Sequence, residues 1–363
     1  MRAGIVGAGV GGRLLSLGLA ERGWEVCIFD KDTEEGRESC SWTGAGMIAP
    51  YCEQESAEPI ICNVGLRSLE LWPKILAKLP EKVFYQNDGS LVVAHPNDAD
   101  ELHRLQREVE SRDFEGDVMQ VLDAKGIGNI ESELYGRFYT GLYFPYEAQV
   151  DNWKLMKVTP IAMAQAGIDC NFNTEVTGIE PGRLTVNGET VEYDMVFDCR
   201  GIDASDDIAN LRGVRGELLH VTAPDVGLTR PVRMMHPRYP LYIVPREDDR
   251  FVIGATKIES HDLSEISVRG ALELLSAAYA LHPGFAEARI IETNTHCRPA
   301  VTDNLPYIDF RDKLTIFNGM FRHGFLIAPA LAEAIIQQIC DGKVTNAAAP
   351  LMYFNGKRAQ ESF

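Results

Sequence analysis

Residues 2–32 read RAGIVGAGVGGRLLSLGLAERGWEVCIFDKD: an apolar run, a glycine-rich turn, a helical pattern, and a second apolar run ending in an acid. The order predicts a strand, a turn, a helix and a second strand over Glu25–Phe29, the βαβ unit that holds a dinucleotide. Within it Gly7 permits the tight turn, Gly9 lets a pyrophosphate approach the backbone, and Gly12 lets helix and strand pack closely. The helix N-terminus then faces the phosphates with free N–H groups and the positive end of its dipole. Gly23 is placed to end the helix. Asp30, eighteen residues past Gly12, is placed to accept hydrogen bonds from ribose hydroxyls. Arg2 before an apolar run imitates a secretory signal, but Arg13 and the glycines interrupt the run and no small-residue cleavage site follows.

With 363 residues the chain can bury a large core, and its length suggests two domains or one large one. A formal net charge of −18 argues against nucleic acid or an anionic membrane as partner, so an anionic substrate needs its own local arginines. No apolar run approaches the roughly 18 residues of a membrane span. The eight cysteines form no CxxC pair, and the histidines show no metal-ligand spacing. A reduced, cytoplasmic protein without a metal is the expectation.

After Asp30 the segment EGRESCSWTGAGMIAP is built to lie against a ligand. Gly44, Ala45 and Gly46 allow close backbone approach, and Ser39, Ser41 and Thr43 offer hydroxyls to phosphate or ribitol. A helix is expected over residues 58–79, a hairpin over 83–95 around Asn87, Asp88 and Gly89, and a charged helix over 98–112. Asp151 or Asn152 caps a further helix. Residues 175–179, a turn at Asn187 and Gly188, and the run from Tyr193 to Cys199, followed by Arg200 and Gly201, read as a return to the first sheet, with Val176 flanking the adenine. From Gly216 to Thr256 the chain reads as strand after strand in a mostly antiparallel sheet. A helix over 264–281 and a strand over 289–297 follow. The last segments are CRPAVTDNLPYIDF and a strand–turn–helix containing NGMFRHGFLIAPA.

Four stretches, GIVGAGVGG with its acid, RESCSWTGAGMIAP, YIVPREDDRFVIGAT, and CRPAVTDNLPYI with NGMFRHGFLIAPA, resemble the D-amino-acid oxidase superfamily of flavoproteins, most closely its glycine oxidase (ThiO) branch. The resemblance spans nearly the whole chain in order and is weakest over residues 58–138. It implies an α/β fold: an FAD-binding Rossmann-like domain from residues 1–50, 148–212 and 297–363, and an antiparallel-sheet substrate domain from 51–147 and 213–296. It implies non-covalent FAD held by the glycine turn, Asp30, Ser39, Ser41, Thr43, Gly44, Ala45, Gly46, Met47, Val176, Gly201, Gly324 and Phe325. Arg298 would bind the substrate carboxylate bidentately, Tyr242 would donate to the same group, and Arg322 would stand nearby. No side-chain acid or base is assigned.

What the resemblance implies as function is oxidative deamination of glycine or a similar small amino acid, with dioxygen as second substrate, in service of thiazole formation for thiamine. Homo-oligomers are within its range. The alternatives are a sarcosine or D-amino-acid oxidase or dehydrogenase of the same fold, and a flavin-binding partner protein that no longer turns over. The chain departs from the family pattern at His296, Cys297, Met320 and His323, all expected in the walls of the site, which leaves the preferred amino acid open.

Overall fold

The computed structural model describes residues 1–55, 57–236 and 240–358. Strand Arg2–Val6 lies inside a sheet of eight strands. It pairs in parallel with Glu25–Phe29 on one side and Met195–Asp198 on the other. Asp169–Asn171 and Leu314–Asn318 extend the parallel block outward. Four of the five residues in each of the first two strands are buried, as expected of a sheet covered on both faces. Helices Val10–Glu21 and Pro59–Leu76 pack against Gly324–Asp341 to cover it. The return to this sheet passes through an antiparallel meander, Val176–Glu180, Arg183–Val186 and Glu189–Glu192, turning at Asn187 and Gly188 with positive φ at both.

The second large sheet has nine strands. Its longest pair is Arg212–Thr222 against Arg289–Ala300, joined along eleven register pairs. Arg250–Gly254, Leu241–Pro245 and Val232–Met235 continue it antiparallel. The pairing of Val232–Met235 with Ser90–Ala94 is parallel. Helix Val268–Leu281 packs on the sheet over a core that includes Leu219, Ile243, Ile253 and Leu274.

Several expectations need correction. Residues 83–95 are not a hairpin: Tyr85–Gln86 joins a small sheet through Ala148–Val150, whereas Ser90–Ala94 enters the nine-stranded sheet. All five residues of Ser90–Ala94 are buried, because strands flank it on both sides, so its partner could not be read from its neighbour in sequence. The strand expected to stop at Cys297 runs to Ala300 and carries Arg298 and Pro299 within it. The helix expected from residue 264 starts at Val268, capped by the Ser267 hydroxyl accepting the Gly270 N–H at 3.0 Å. The helix expected over 58–79 does run through Pro73 but ends at Leu76. Helix Gly324–Asp341 is, with 18 residues and mean hydropathy 1.2, long and apolar enough to cross a membrane. It is instead the core helix here, 61% buried within the protein.

Arg13 was useful in the sequence only for breaking an apolar run, yet it is 1% exposed and ties three segments together. Its guanidinium donates to the carbonyls of Ala8, Met156 and Glu34, each at 2.6 Å, and to the Thr159 hydroxyl at 2.9 Å. Burial lowers its pKa to about 10, against the opposing pull of Asp30, so it stays charged at neutral pH. Arg13→Met is expected to leave these buried acceptors without donors and to cost about 3 kcal/mol or more, read as a lower denaturant midpoint. An unchanged midpoint would show that the three segments hold together without it.

Candidate active site

Two cavities adjoin, and the first opens where the parallel strands end, at Val6, Phe29, Cys199 and Phe317. The first is lined by Gly7, Gly9 and Asp30 from the βαβ unit, by Ser39 and Ser41 from the loop after it, and by Val176 and Gly201 from the return segment. Gly12 does not line it. A methyl group there would stand 2.0 Å from the Gly7 carbonyl oxygen, so Gly12 acts in packing the helix against the turn. The Asp30 carboxylate accepts the Ala8 N–H at 2.5 Å and the Asp32 N–H at 2.8 Å. Gly9 caps helix Val10–Glu21 without a side-chain bond. Ser41 Oγ accepts the Val10 N–H at 2.9 Å and so draws the loop onto the helix start. A glycine cradle, a helix N-terminus and an acid at the end of the second strand fit the diphosphate and ribose of a dinucleotide.

The second cavity gathers the remaining candidates. Thr43, Gly44, Ala45, Gly46 and Met47 form one wall, Gly324 and Phe325 enter from the start of the core helix, and Tyr242, Arg298 and Arg322 come from the opposite side. The two cavities share Val10, Cys40, Ser41, His296, Pro299 and Met320, so they form one continuous groove.

Arg298 lies across strand Arg212–Thr222 at Gly216. Its Nη1 donates to the Thr256 carbonyl at 3.1 Å, and a methyl on Gly216 would fall 2.3 Å from Nη2. Tyr242 packs its ring on Gly254, its register partner in the next strand. Burial raises the Tyr242 pKa, although Arg298 opposes it, so the hydroxyl remains a neutral donor. Arg322 reaches the cavity with its Nη2 2.5 Å from Glu53 Oε2. Glu53 also stands 3.6 Å from Arg233 and 3.5 Å from His323 Nδ1. Burial pushes the Glu53 pKa up, but Arg322, His323 and Arg233 outweigh it and bring the value to about 2. Burial brings His323 to about 4, so it is neutral at pH 7.

Glu53, Arg233, Gly216 and Arg246 are site residues that sequence reasoning missed. Arg246 follows the proline of the quoted YIVPR stretch. It donates to the Ala45 carbonyl and to Gln149 Oε1, and thereby fixes the small-residue wall. Gly46 has φ 61°, and a methyl on it would meet the Val150 carbonyl at 2.0 Å. Asn152 Nδ2 bonds the carbonyls of Ser41 and Trp42, at 3.1 and 2.7 Å, holding the same loop from the other end. The arginine after an apolar strand was a readable signal for Arg246. For Glu53 there was none, because its partners lie 180 residues and more along the chain.

The model of the DAO family, described as FAD dependent oxidoreductase, matches residues 2–338. A Rhizobium etli protein named putative thiamine biosynthesis oxidoreductase ThiO is 39% identical over 340 residues, covering 93% of this chain and 96% of its own. The crystal structure of glycine oxidase from Geobacillus kaustophilus superposes with a TM-score of 0.86 at 26% identity, covering 98% of this chain and 99% of that one. L-proline dehydrogenase from P. horikoshii, at 17% identity, shares the fold with a TM-score of 0.81. Fold, groove and family match agree: the chain belongs to the DAO family of FAD-dependent oxidoreductases.

Proposed function

We propose that the protein oxidises glycine or a similarly small amino acid to its imine, which water converts to the 2-oxo acid and ammonia, and that the reaction serves thiazole formation for thiamine. The observation that carries this reading is Arg298, laid over the bare backbone of Gly216 inside the cavity that Tyr242 and the Gly44–Ala45–Gly46 wall enclose. The names of the Rhizobium and Geobacillus relatives support it. FAD, held without a covalent link by Gly7, Gly9, Asp30, Ser39 and Ser41, would supply the hydride acceptor and the route of the electrons to dioxygen, which would become hydrogen peroxide.

The protein's part is placement. A guanidinium and a carboxylate meet through two parallel N–H···O bonds, so Arg298 fixes the plane of the substrate as well as its charge. Tyr242 donates to the same carboxylate. Arg322 faces Glu53, whose negative charge balances it, so carboxylate binding falls on Arg298. Orientation of this kind is what a transfer between two carbon-framework partners needs most. The first turn of helix Gly324–Asp341, which lines the cavity with Gly324 and Phe325, would offer the positive end of its dipole to a bound flavin.

The deciding experiment is anaerobic addition of glycine to the purified holoenzyme while its visible absorbance is followed. Bleaching with glycine supports the reading; bleaching with sarcosine or a D-amino acid but not glycine moves the substrate; a spectrum unchanged by any amino acid overturns the oxidation. Arg298→Lys is expected to weaken binding of amino-acid carboxylates by about tenfold to a hundredfold, the loss of one charge-assisted bidentate pair. Gly216→Ala should do much the same by pushing the guanidinium aside, with little loss of stability, since only the end of a flexible side chain has to move.

Glu53 gives a pH signature. Its folded pKa of about 2 lies below the ordinary 4.5, so its contribution to stability is present above about 4.5 and is lost as pH falls toward 2. The stability gap between the protein and Glu53→Gln should therefore narrow from pH 6 to pH 3, measured by denaturant titration. A gap that stays constant would mean that Glu53 titrates normally.

A further inference from the structure

The two halves of the groove meet at Cys40 and His296, which line both. Cys40 opens the short helix Cys40–Thr43, and His296 belongs to the strand that carries Arg298. Cys40 Sγ stands 3.1 Å from His296 Nδ1. The other ring nitrogen, Nε2, is 2.8 Å from the Glu38 carbonyl oxygen, and Nδ1 is also 3.1 Å from the Cys297 carbonyl oxygen. A carbonyl only accepts, so a hydrogen is wanted on both ring nitrogens, and only the imidazolium has two. The Cys297 oxygen lies 3.2 Å from the sulfur as well, so one proton is shared within the triangle of Sγ, Nδ1 and that oxygen. With the proton on the ring, the sulfur is the negative partner.

The surroundings of the ring favour a proton on it. Burial lowers the His296 pKa, but Cys40 and the two carbonyls together carry it to about 9. On the strand side the neighbours are Cys297, tied to the carbonyls of Ser260 and Asp262, and beyond it Arg215, Asp262 and Arg298. On the loop side Glu38 presents its carbonyl. Cys40 is partly exposed, and its thiol is unpaired, as are those of the other seven cysteines. A thiol beside a cationic ring, open to the groove and with an oriented base, has the features of a redox-reactive cysteine.

We propose that Cys40, activated by His296, is a peroxide-oxidised thiol at the throat between the cofactor and substrate cavities. The thiolate sulfur attacks one oxygen of hydrogen peroxide: the S–O bond forms, the O–O bond breaks, and the sulfur gives up two electrons. The departing hydroxide takes the Nδ1 proton of His296 and leaves as water. The product is a neutral sulfenic acid where an ion pair stood, with one more oxygen atom in the throat. A thiol reductant reverses the change. The source of peroxide rests on the oxidase reading above, whereas the reactivity of the thiol does not.

The test uses the holoenzyme, added hydrogen peroxide, and dimedone to trap sulfenic acid, with peptide mass spectrometry to locate it. Cys40 is expected to be labelled at least tenfold faster than the similarly exposed Cys170 and Cys340 at about pH 7. Iodoacetamide on the unaltered enzyme should show the same order. His296→Asn should slow both reactions about tenfold or more at pH 7 and approach the unaltered rate at about pH 9.5, with the flavin spectrum reporting that it folds. Labelling of Cys40 no faster than Cys170 and Cys340, or a rate indifferent to His296, overturns the proposal. Glycine turnover without added peroxide should give the same adduct, and catalase should suppress it. An adduct with added peroxide but none during turnover would overturn the internal source while supporting the activated thiol.

Discussion

Everything in the cofactor groove depends on how closely helix Val10–Glu21 approaches the ends of the strands beside it. A methyl on Gly12 would stand 2.0 Å from the Gly7 carbonyl oxygen, and one on Gly7 would stand 2.5 Å from the Cys199 carbonyl oxygen. Both obstacles are backbone, so neither can step aside. Because the contact is so close, three strand ends converge at one point, and Asp30 can bond back to the Ala8 N–H inside the turn. The same closeness brings Arg13, one residue beyond Gly12, into reach of Met156, Thr159 and Glu34. The glycines therefore shape the groove and place the side chain that fastens the surrounding segments.

Buried arginines carry much of the long-range connection in a chain whose net charge is −18. Arg13 reaches Met156, Arg233 reaches Cys52, and Arg246 reaches Ala45, across separations of 143, 181 and 201 residues. In each case the acceptor is a main-chain carbonyl in a segment without regular pairing, or at a helix. A guanidinium suits this work because five N–H donors in a fixed fork can meet several carbonyls at once. Taking that charge out of water is expensive, and burial lowers the pKa of Arg13 and Arg246 to about 10. Both remain charged, so the carbonyl oxygens they serve keep full donors. The interior holds both signs: Asp32, Glu131, Glu147, Asp151, Asp198, Glu217 and Asp309 are buried as well, so the buried arginines sit in a fold that also encloses carboxylates.

The βαβ unit was legible because every element of it is local: glycine spacing, helix and terminal acid lie within 31 residues of one another. The small-residue wall was legible too, as a run of Gly44, Ala45 and Gly46, although the structure gives Gly46 a backbone reason of its own, its positive φ and the Val150 carbonyl beside it. Strand partners were less so. Ser90–Ala94 looked like half of a hairpin, and only the flanking strands 232–235 and 140–144 explain its full burial. The strand expected over 289–297 stops one residue short of Arg298, whereas the observed strand includes it. In the structure Pro299 faces Gly213 across the ladder on a strand whose other side is not in this sheet path, where a missing N–H is tolerated. Glu53 was invisible, because its role arises from Arg233, Arg322 and His323, which the fold brings to it from 180 residues and more along the chain.

The departures from the family pattern are not scattered. His296 and Met320 line both cavities, His323 borders the substrate cavity, and Cys297 stands directly behind the throat. The backbone devices that hold the groove open, Gly7 and Gly12 at the turn and Gly216 beneath Arg298, follow requirements that no side chain could meet. Such positions leave little room for variation, because a methyl group collides with a fixed atom at the turn and displaces the Arg298 guanidinium at Gly216. The throat is different: the Cys40 and His296 side chains meet each other and lean on the Glu38 and Cys297 carbonyls, so either side chain can change without a methyl group striking fixed backbone. The loop start at residue 40 and the strand at 296 are also held together by Trp42 Nε1 donating to Glu292 Oε1 at 3.1 Å, a tie that does not involve His296 or Cys40. A rigid frame with an adjustable junction lets the chemistry of the two flanking cavities stay fixed while the junction between them acquires a reactivity of its own.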